Sequence, residues 1–352
     1  MRESVFIAVH HYQNENVVAR GDLVADSYRL AVEAARSRAK YVVVCGVRFM
    51  AESVATLARP DQIVLLPEPG ALCPMADMID AETAARTLAL LREFERDSGI
   101  VPVTYMNSSN AVKALTGREG GAICTSGNAR PVLGHFFSRG KRVFFLPDAN
   151  LGLNTARAMG LPEGAAARIS RDGALPEGLV PGAAKIFAWD GYCPVHKVMT
   201  AGDVSLFRGA HPGAKVIVHP ECVPEVASVS DGTGSTEGLL KTLAAAPAGS
   251  VWGVGTELHF VERMQATFPD RAIYPIRASS CANMAKVSEA SLDRTLEAIR
   301  AYEASGAARK PPNAARLAGT ALGNLAVTVP DAERADATRA LEAMIRITEG
   351  AK

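Results

Sequence analysis

Short, nearly all-apolar runs recur along the whole chain and constrain its fold more than any other feature. They read "SVFIAVHHYQ", "YVVVCGVRF", "QIVLLPEPG", "VPVTYMNSS", "AICTSGN", "RVFFLPDANLG", "KIFAWDGYC", "KVIVHPEC", "ASVSDGTGS" and "VWGVGTELHF". None alternates apolar with polar residues, so neither face is meant for water, as in parallel strands covered by helices on both sides. The segments between them, such as "DSYRLAVEAARSRA" and "ADMIDAETAARTLALLREFERDSG", are long enough for crossover helices. The pattern predicts an α/β protein built from parallel sheets.

At 352 residues the chain exceeds what one hydrophobic core usually holds, so it should divide into domains. About ten strands fall into groups of about three, each group covering about a hundred residues. The expected divisions are a first α/β domain over residues 1–75, a second over 76–180 and a third over 181–310. The Gly-, Ala- and Pro-rich stretch "GLPEGAAARISRDGALPEGLVPGAA" reads as a long connection ahead of the third group. After the breaker "RKPPN", a tail over 311–352 should add a short strand, "NLAVTV", and a final helix, "DAERADATRALEAMIRI", packed on the first domain.

Composition excludes some classes of function. Hydrophobic residues make up 48% and charged residues 21%, and the formal net charge is +1 with no basic block. Nothing there advertises a nucleic-acid partner or an anionic membrane. The apolar run in "MRESVFIAVHHYQ" is cut off by His10 and His11, too soon for a signal segment or a membrane span, so the chain reads as cytoplasmic. Six cysteines without a CxxC pair are too sparse for a disulfide framework.

Chemistry gathers where the apolar runs stop. They end in His10 and Tyr12, in Tyr105 and Asn107, in Ser126, in Cys193 and His196, and in His219 and Glu221. Ligands of open parallel sheets bind beyond the carboxyl ends of the strands, so these positions suit function, although Ser and Asn there also serve as helix caps. "VHPEC" places His219 and Glu221 two residues apart, on one side of an extended segment, which suits a proton-transfer pair, a metal pair or a buried hydrogen-bonded couple. "SDGTGSTEG" opens a helix with small and hydroxyl residues, where Ser235, Thr236 and the backbone N–H groups could hold a phosphate or carboxylate, or simply make a turn and a cap. Cys45 and Cys124 follow apolar strands and suit the core. Cys73, Cys193 and Cys281 instead lie just ahead of helices, about one per domain, as three ligands of one metal centre with an open fourth position would.

In order along the chain, "HHYQ", "ADS", "VVVCGVRFMAES", "LLPEPGALCPMADM", "TYMNSS", "ICTSGNA", "FLPDANLG", "WDGYCPVH", "HPEC", "GSTEG", "GTE" and "CANM" resemble the quinolinate synthases of bacterial NAD biosynthesis. The resemblance covers about residues 6–284. It implies three similar α/β/α domains related by pseudo-threefold symmetry, with the active site at their junction. It implies a condensing, dehydrating enzyme that joins iminoaspartate to dihydroxyacetone phosphate, giving quinolinate, phosphate and water. It further implies a [4Fe-4S] cluster on Cys73, Cys193 and Cys281, whose open iron is a Lewis acid. Cys45, Cys124 and Cys222 would then be structural. By the same resemblance Glu221, His219, Tyr12, Tyr105 and His196 are the catalytic group, while His10, Ser27, Asn107, Ser126, Ser235 and Thr236 bind substrate. A functional link to an iminoaspartate-producing aspartate oxidase or dehydrogenase follows, with no nucleic-acid or membrane partner.

The chain departs from the family pattern in places. Only Cys281 stands in "RASSCANM" where some relatives have CxxCxxC, so no regulatory disulfide is expected there. Ala149 stands where many relatives have Gln, and Glu237 adds a negative charge beside the anion loop. Two other readings remain: a single-metal aldolase or lyase using His196, His219 and Glu221, and a non-catalytic iron–sulfur sensor.

Overall fold

A computed structural model describes residues 4–97, 99–162, 164–306 and 317–350. Among them are thirteen strands: β1 (Val5–His10), β2 (Leu23–Ala25), β3 (Tyr41–Cys45), β4 (Ile63–Leu65), β5 (Ile100–Tyr105), β6 (Ala122–Cys124), β7 (Arg142–Leu146), β8 (Ala166–Ile169), β9 (Ile186–Trp189), β10 (Lys215–Val218), β11 (Gly232–Thr233), β12 (Val251–Gly255) and β13 (Ala272–Pro275). They form three sheets, ordered β2-β1-β3-β4, β6-β5-β7-β9-β8 and β11-β10-β12-β13, and every pairing within them is parallel. The fold is α/β with parallel sheets. In each sheet the earliest strand lies second from an edge, and the next strand forms that edge. β8, appended at the edge of the second sheet, is the one exception to this shared order.

Burial explains the apolar runs. All five residues of β3 and all six of β5 are buried, because helices cover both faces. Most helices start on a side chain that accepts a backbone N–H. Asp26, Asp80, Ser109, Asp148, Ser235 and Glu257 do this, and Thr200 with Asp203 makes a full capping box. Asp26, Ser109, Asp148, Ser235 and Glu257 lie just beyond strand ends, so there the residues that stop a strand also start the next helix.

The chain forms two compact units, Met1–Cys73 with Ser280–Asp331, and Pro74–Ser279 with Ala332–Lys352. The first holds one sheet and the second holds the other two. Four expectations change. The run "KIFAWDGYC", expected to open a third domain at 181, is β9, paired between β7 and β8 in the second sheet. The Gly- and Pro-rich stretch ahead of it is an excursion within that sheet, since it contains β8. "NLAVTV" makes only an isolated antiparallel bridge, Ala326 to Leu65, on the edge strand β4. The final helix, Asp331–Gly350, packs on the second sheet's layer instead of the first. There Glu333 accepts from the Asn110 amide at 3.0 Å, and Gly117 lets the helix backbone come so near that a Cβ would meet the Asp336 carbonyl. Residues 311–316, 351 and 352 of the expected tail lie outside the described residues.

Candidate active site

Within the second unit, five of the residues singled out from the sequence come together. Tyr105 ends β5, Ser126 follows β6, and His196 lies in the short helix Pro194–Lys197 that Cys193 caps. His219 and Glu221 occupy the turn after β10, not a strand as expected, and the turn folds their side chains toward each other. His196 Nδ1 lies 2.7 Å from Glu221 Oε2, and His219 Nδ1 lies 3.7 Å from the same oxygen. The two imidazoles stack with centroids 4.5 Å apart and planes at 20°. All three residues are buried, with Glu221 3% exposed.

Local hydrogen bonds fix the His219 ring. The Glu221 backbone N–H donates to His219 Nδ1 at 3.3 Å, so a neutral ring carries its proton on Nε2, 3.2 Å from Ser126 Oγ. Burial lowers the His219 pKa to about 3, keeping the ring uncharged near neutral pH. Burial alone would raise the Glu221 carboxyl. The imidazoles of His219 and His196, and hydrogen bonds from His196 and the Tyr105 hydroxyl, overcome it and hold the carboxyl low. Nearby Asp148 goes the other way, since burial and the Glu221 charge raise its carboxyl well above the usual range. The two neighbouring carboxyls are thus pushed in opposite directions, an arrangement that suits proton transfer.

The anion-binding candidates adjoin this group. Ser235 caps the helix Thr236–Ala244, accepting from the Gly238 N–H at 3.2 Å. A Cβ on Gly127, next to Ser126, would lie 3.3 Å from Ser235 Oγ, so the two loops touch. Thr236 opens the helix, and Glu237 stands in its first turn. Asn107 Oδ1 is buried without a hydrogen-bond partner, as an amide waiting for a ligand donor would be.

The other predicted residues lie in the first unit. His10 ends β1, and the Tyr12 N–H donates to its Nδ1 at 3.1 Å, with the rings edge to face at 4.7 Å. This repeats the backbone lock of His219 at the corresponding strand of another sheet. Asp26 caps the helix Ser27–Arg36, so the Ser27 hydroxyl is not used in the cap.

The cysteines fall into two kinds. Cys45, Cys124 and Cys222 are fully buried, and burial pushes the Cys45 thiol up to about 12 and the other two further. Such thiols stay protonated and make poor ligands. Cys73, Cys193 and Cys281 are half-buried, each just ahead of a helical turn: Ala76–Met78, Pro194–Lys197 and Met284–Lys286. In donor chemistry these three suit an iron–sulfur group. Cys193, His196 and Glu221 also bring donor atoms within 4.8 Å of one another.

Three residues that support the site were given no role in it from the sequence. Asn154 donates to the carbonyls of Pro220 at 2.8 Å and Cys222 at 2.7 Å, clamping the turn that bears Glu221. Thr256 Oγ1 lies 3.1 Å from His196 Nε2. Asp148 accepts from the backbone N–H groups of Leu151 and Cys193. In the sequence, only their position just beyond a strand marked Thr256 and Asp148, and nothing marked Asn154.

Comparison with known proteins agrees with the family resemblance. A family model described as "Quinolinate synthetase A protein" matches residues 1–346. The chain is 40% identical over 317 residues to the quinolinate synthase of Rhodopirellula baltica, covering 85% of this chain and 80% of that protein. It is 41% identical over 286 residues to that of Herpetosiphon aurantiacus, covering 79% and 76%. With a Bacillus cereus quinolinate synthase it shares 40% over 289 residues, covering 80% and 77%.

Proposed function

The chain belongs to the quinolinate synthetase A family, and from that premise we propose that it condenses iminoaspartate with dihydroxyacetone phosphate to quinolinate, phosphate and water. The observation that carries this reading is the buried Glu221 carboxylate, set beside the Nδ1 atoms of two stacked imidazoles and hydrogen-bonded by Tyr105. The reaction needs repeated proton transfers without net oxidation, and one ionised acid beside imidazoles can both take and return a proton.

Each remaining residue has a role in that chemistry. Glu221 moves protons in the isomerisation and dehydration steps, while His219 and Ser126 orient the bound intermediate from one side. Tyr105 and Tyr12 donate to departing hydroxyls. Asn107, Ser126, Ser27 and His10 bind the carboxylates and carbonyl groups of the substrates. Ser235, Thr236 and the N-terminus of their helix take the phosphate or a carboxylate, and Glu237 limits how much negative charge that loop accepts.

Cys73, Cys193 and Cys281 would hold the family's [4Fe-4S] cluster. When bound, that group supplies a Lewis acid at the iron without a cysteine ligand. The enzyme would work in the cytoplasm, fed by an aspartate-oxidising enzyme that makes the short-lived imine. No helix among the described residues is long and apolar enough to cross a membrane.

A single-ion aldolase or lyase is the second reading, favoured by the closeness of the Cys193, His196 and Glu221 donor atoms. Against it, both His196 nitrogens already face polar neighbours, Glu221 and Thr256. Labile sulfide in anaerobically reconstituted protein separates the two. About four sulfides per chain support the cluster, and none supports the single ion. Quinolinate formed from the two substrates supports the activity, whereas full cluster content without turnover would favour a sensor.

A further inference from the structure

The backbone locks His219, and side chains flank the imidazole stacked on it. The His196 ring is fully buried and stands on a helix of only four residues. What lies at its two nitrogens therefore decides how the ring is held. Glu221 Oε2 is 2.7 Å from Nδ1, and Thr256 Oγ1 is 3.1 Å from Nε2. A carboxylate and a hydroxyl thus flank the ring, one at each nitrogen.

Thr256 is well placed for this. It is the first residue beyond β12, which pairs with β10 in a register setting Val218 beside Gly255. The His219 N–H donates to the Gly255 carbonyl at 2.9 Å, so one ladder places both His219 and Thr256. Thr256 is itself fully buried.

We propose that Thr256 is a positioning residue for the reaction, its hydroxyl holding the His196 ring in the orientation that keeps Nδ1 beside Glu221. Without the hydroxyl the buried ring loses one of the two polar contacts that flank it, and a ring that turns moves Nδ1 away from the carboxylate.

This inference rests on the quinolinate-forming reading, and the test keeps the two apart. Thr256→Val and Thr256→Ser are made in the full chain, reconstituted anaerobically, matched for iron content and compared with the unaltered enzyme. Thr256→Val should lower kcat about 10- to 100-fold with little change in KM, the usual cost of losing a group that orients an imidazole. Thr256→Ser should stay within about threefold of the unaltered enzyme. Crystal structures of both variants supply a readout independent of turnover: the His196–Glu221 contact is lost in the valine variant and kept in the serine variant. An unaltered ring and unaltered kcat in Thr256→Val overturn the proposal, as does equal impairment of both variants with His196 unmoved. If the unaltered enzyme makes no quinolinate, the functional reading fails while the structural comparison still decides the role of Thr256. Should the valine variant not fold, Thr256→Ala carries the same two readings.

Discussion

His196 Nδ1 lies 2.7 Å from Glu221 Oε2, and this contact ties the turn after β10 to the helix that Cys193 caps. His196 is thus three residues along the chain from Cys193, a proposed iron ligand, and one contact in space from Glu221, the proposed proton-transfer group. Changes around either end should be felt at the other.

Asn154 should matter although it touches no predicted site residue with its own chemistry. Its amide satisfies two buried carbonyls that flank Glu221. Asn154→Ala leaves them without donors and should cost about 1–3 kcal/mol of stability. kcat should fall with it, because the Glu221 turn loses its anchor. Urea unfolding and steady-state kinetics check both.

Gly191 should be irreplaceable on steric grounds. Its N–H donates to the Pro147 carbonyl at 3.0 Å, and an added Cβ would come within 2.3 Å of that same oxygen. Gly191→Ala must push apart two backbones just ahead of Cys193, at a cost of about 1–3 kcal/mol. The expected result is a lower thermal midpoint and a reduced iron content after reconstitution. Normal iron content would show that Cys193 tolerates displacement.

The two kinds of cysteine should separate by iron content. Cys193→Ser loses the cluster and its absorbance near the visible edge, whereas Cys45→Ser keeps both, because Cys45 is a fully buried residue of β3 with a protonated thiol. Equal iron in the two variants would refute the ligand assignment.

The pH dependence of stability follows from His219. Its pKa is lowered from 6.5 to about 3 in the folded protein by burial. Between those values the unfolded chain binds a proton that the folded chain does not, so stability falls as pH falls. The contribution is fully present above about pH 6.5. Its loss should approach about 1.4 kcal/mol per pH unit toward pH 5. Denaturant unfolding of the unaltered protein and of His219→Asn at pH 7 and pH 5 isolates the difference. An identical pH response in both would contradict an uncharged, buried His219.

Much of this was legible in the sequence because the interior strands are buried on both faces and therefore read as unbroken apolar runs. β3 and β5 are examples. β2 and β13, expected nowhere, and β8, hidden in the Gly- and Pro-rich stretch, lie at sheet edges and are part exposed, so they carry no such run. Missing β8 moved the expected start of a third domain to 181, inside the second sheet. The chemical residues were visible for the same reason as the strands, since each one interrupts an apolar run where a sheet ends. Asn154 and Thr256 act on carbonyls and an imidazole supplied by remote segments, and one-dimensional spacing holds no trace of those partners.

The central claim is that Glu221 moves the protons that turn iminoaspartate and dihydroxyacetone phosphate into quinolinate. Its most direct test is quinolinate formation by anaerobically reconstituted enzyme and by Glu221→Gln, matched for iron and labile sulfide. The account predicts quinolinate from the unaltered protein and a kcat about 100- to 10,000-fold lower in the variant at unchanged cluster content. Turnover by Glu221→Gln equal to that of the unaltered enzyme would contradict it.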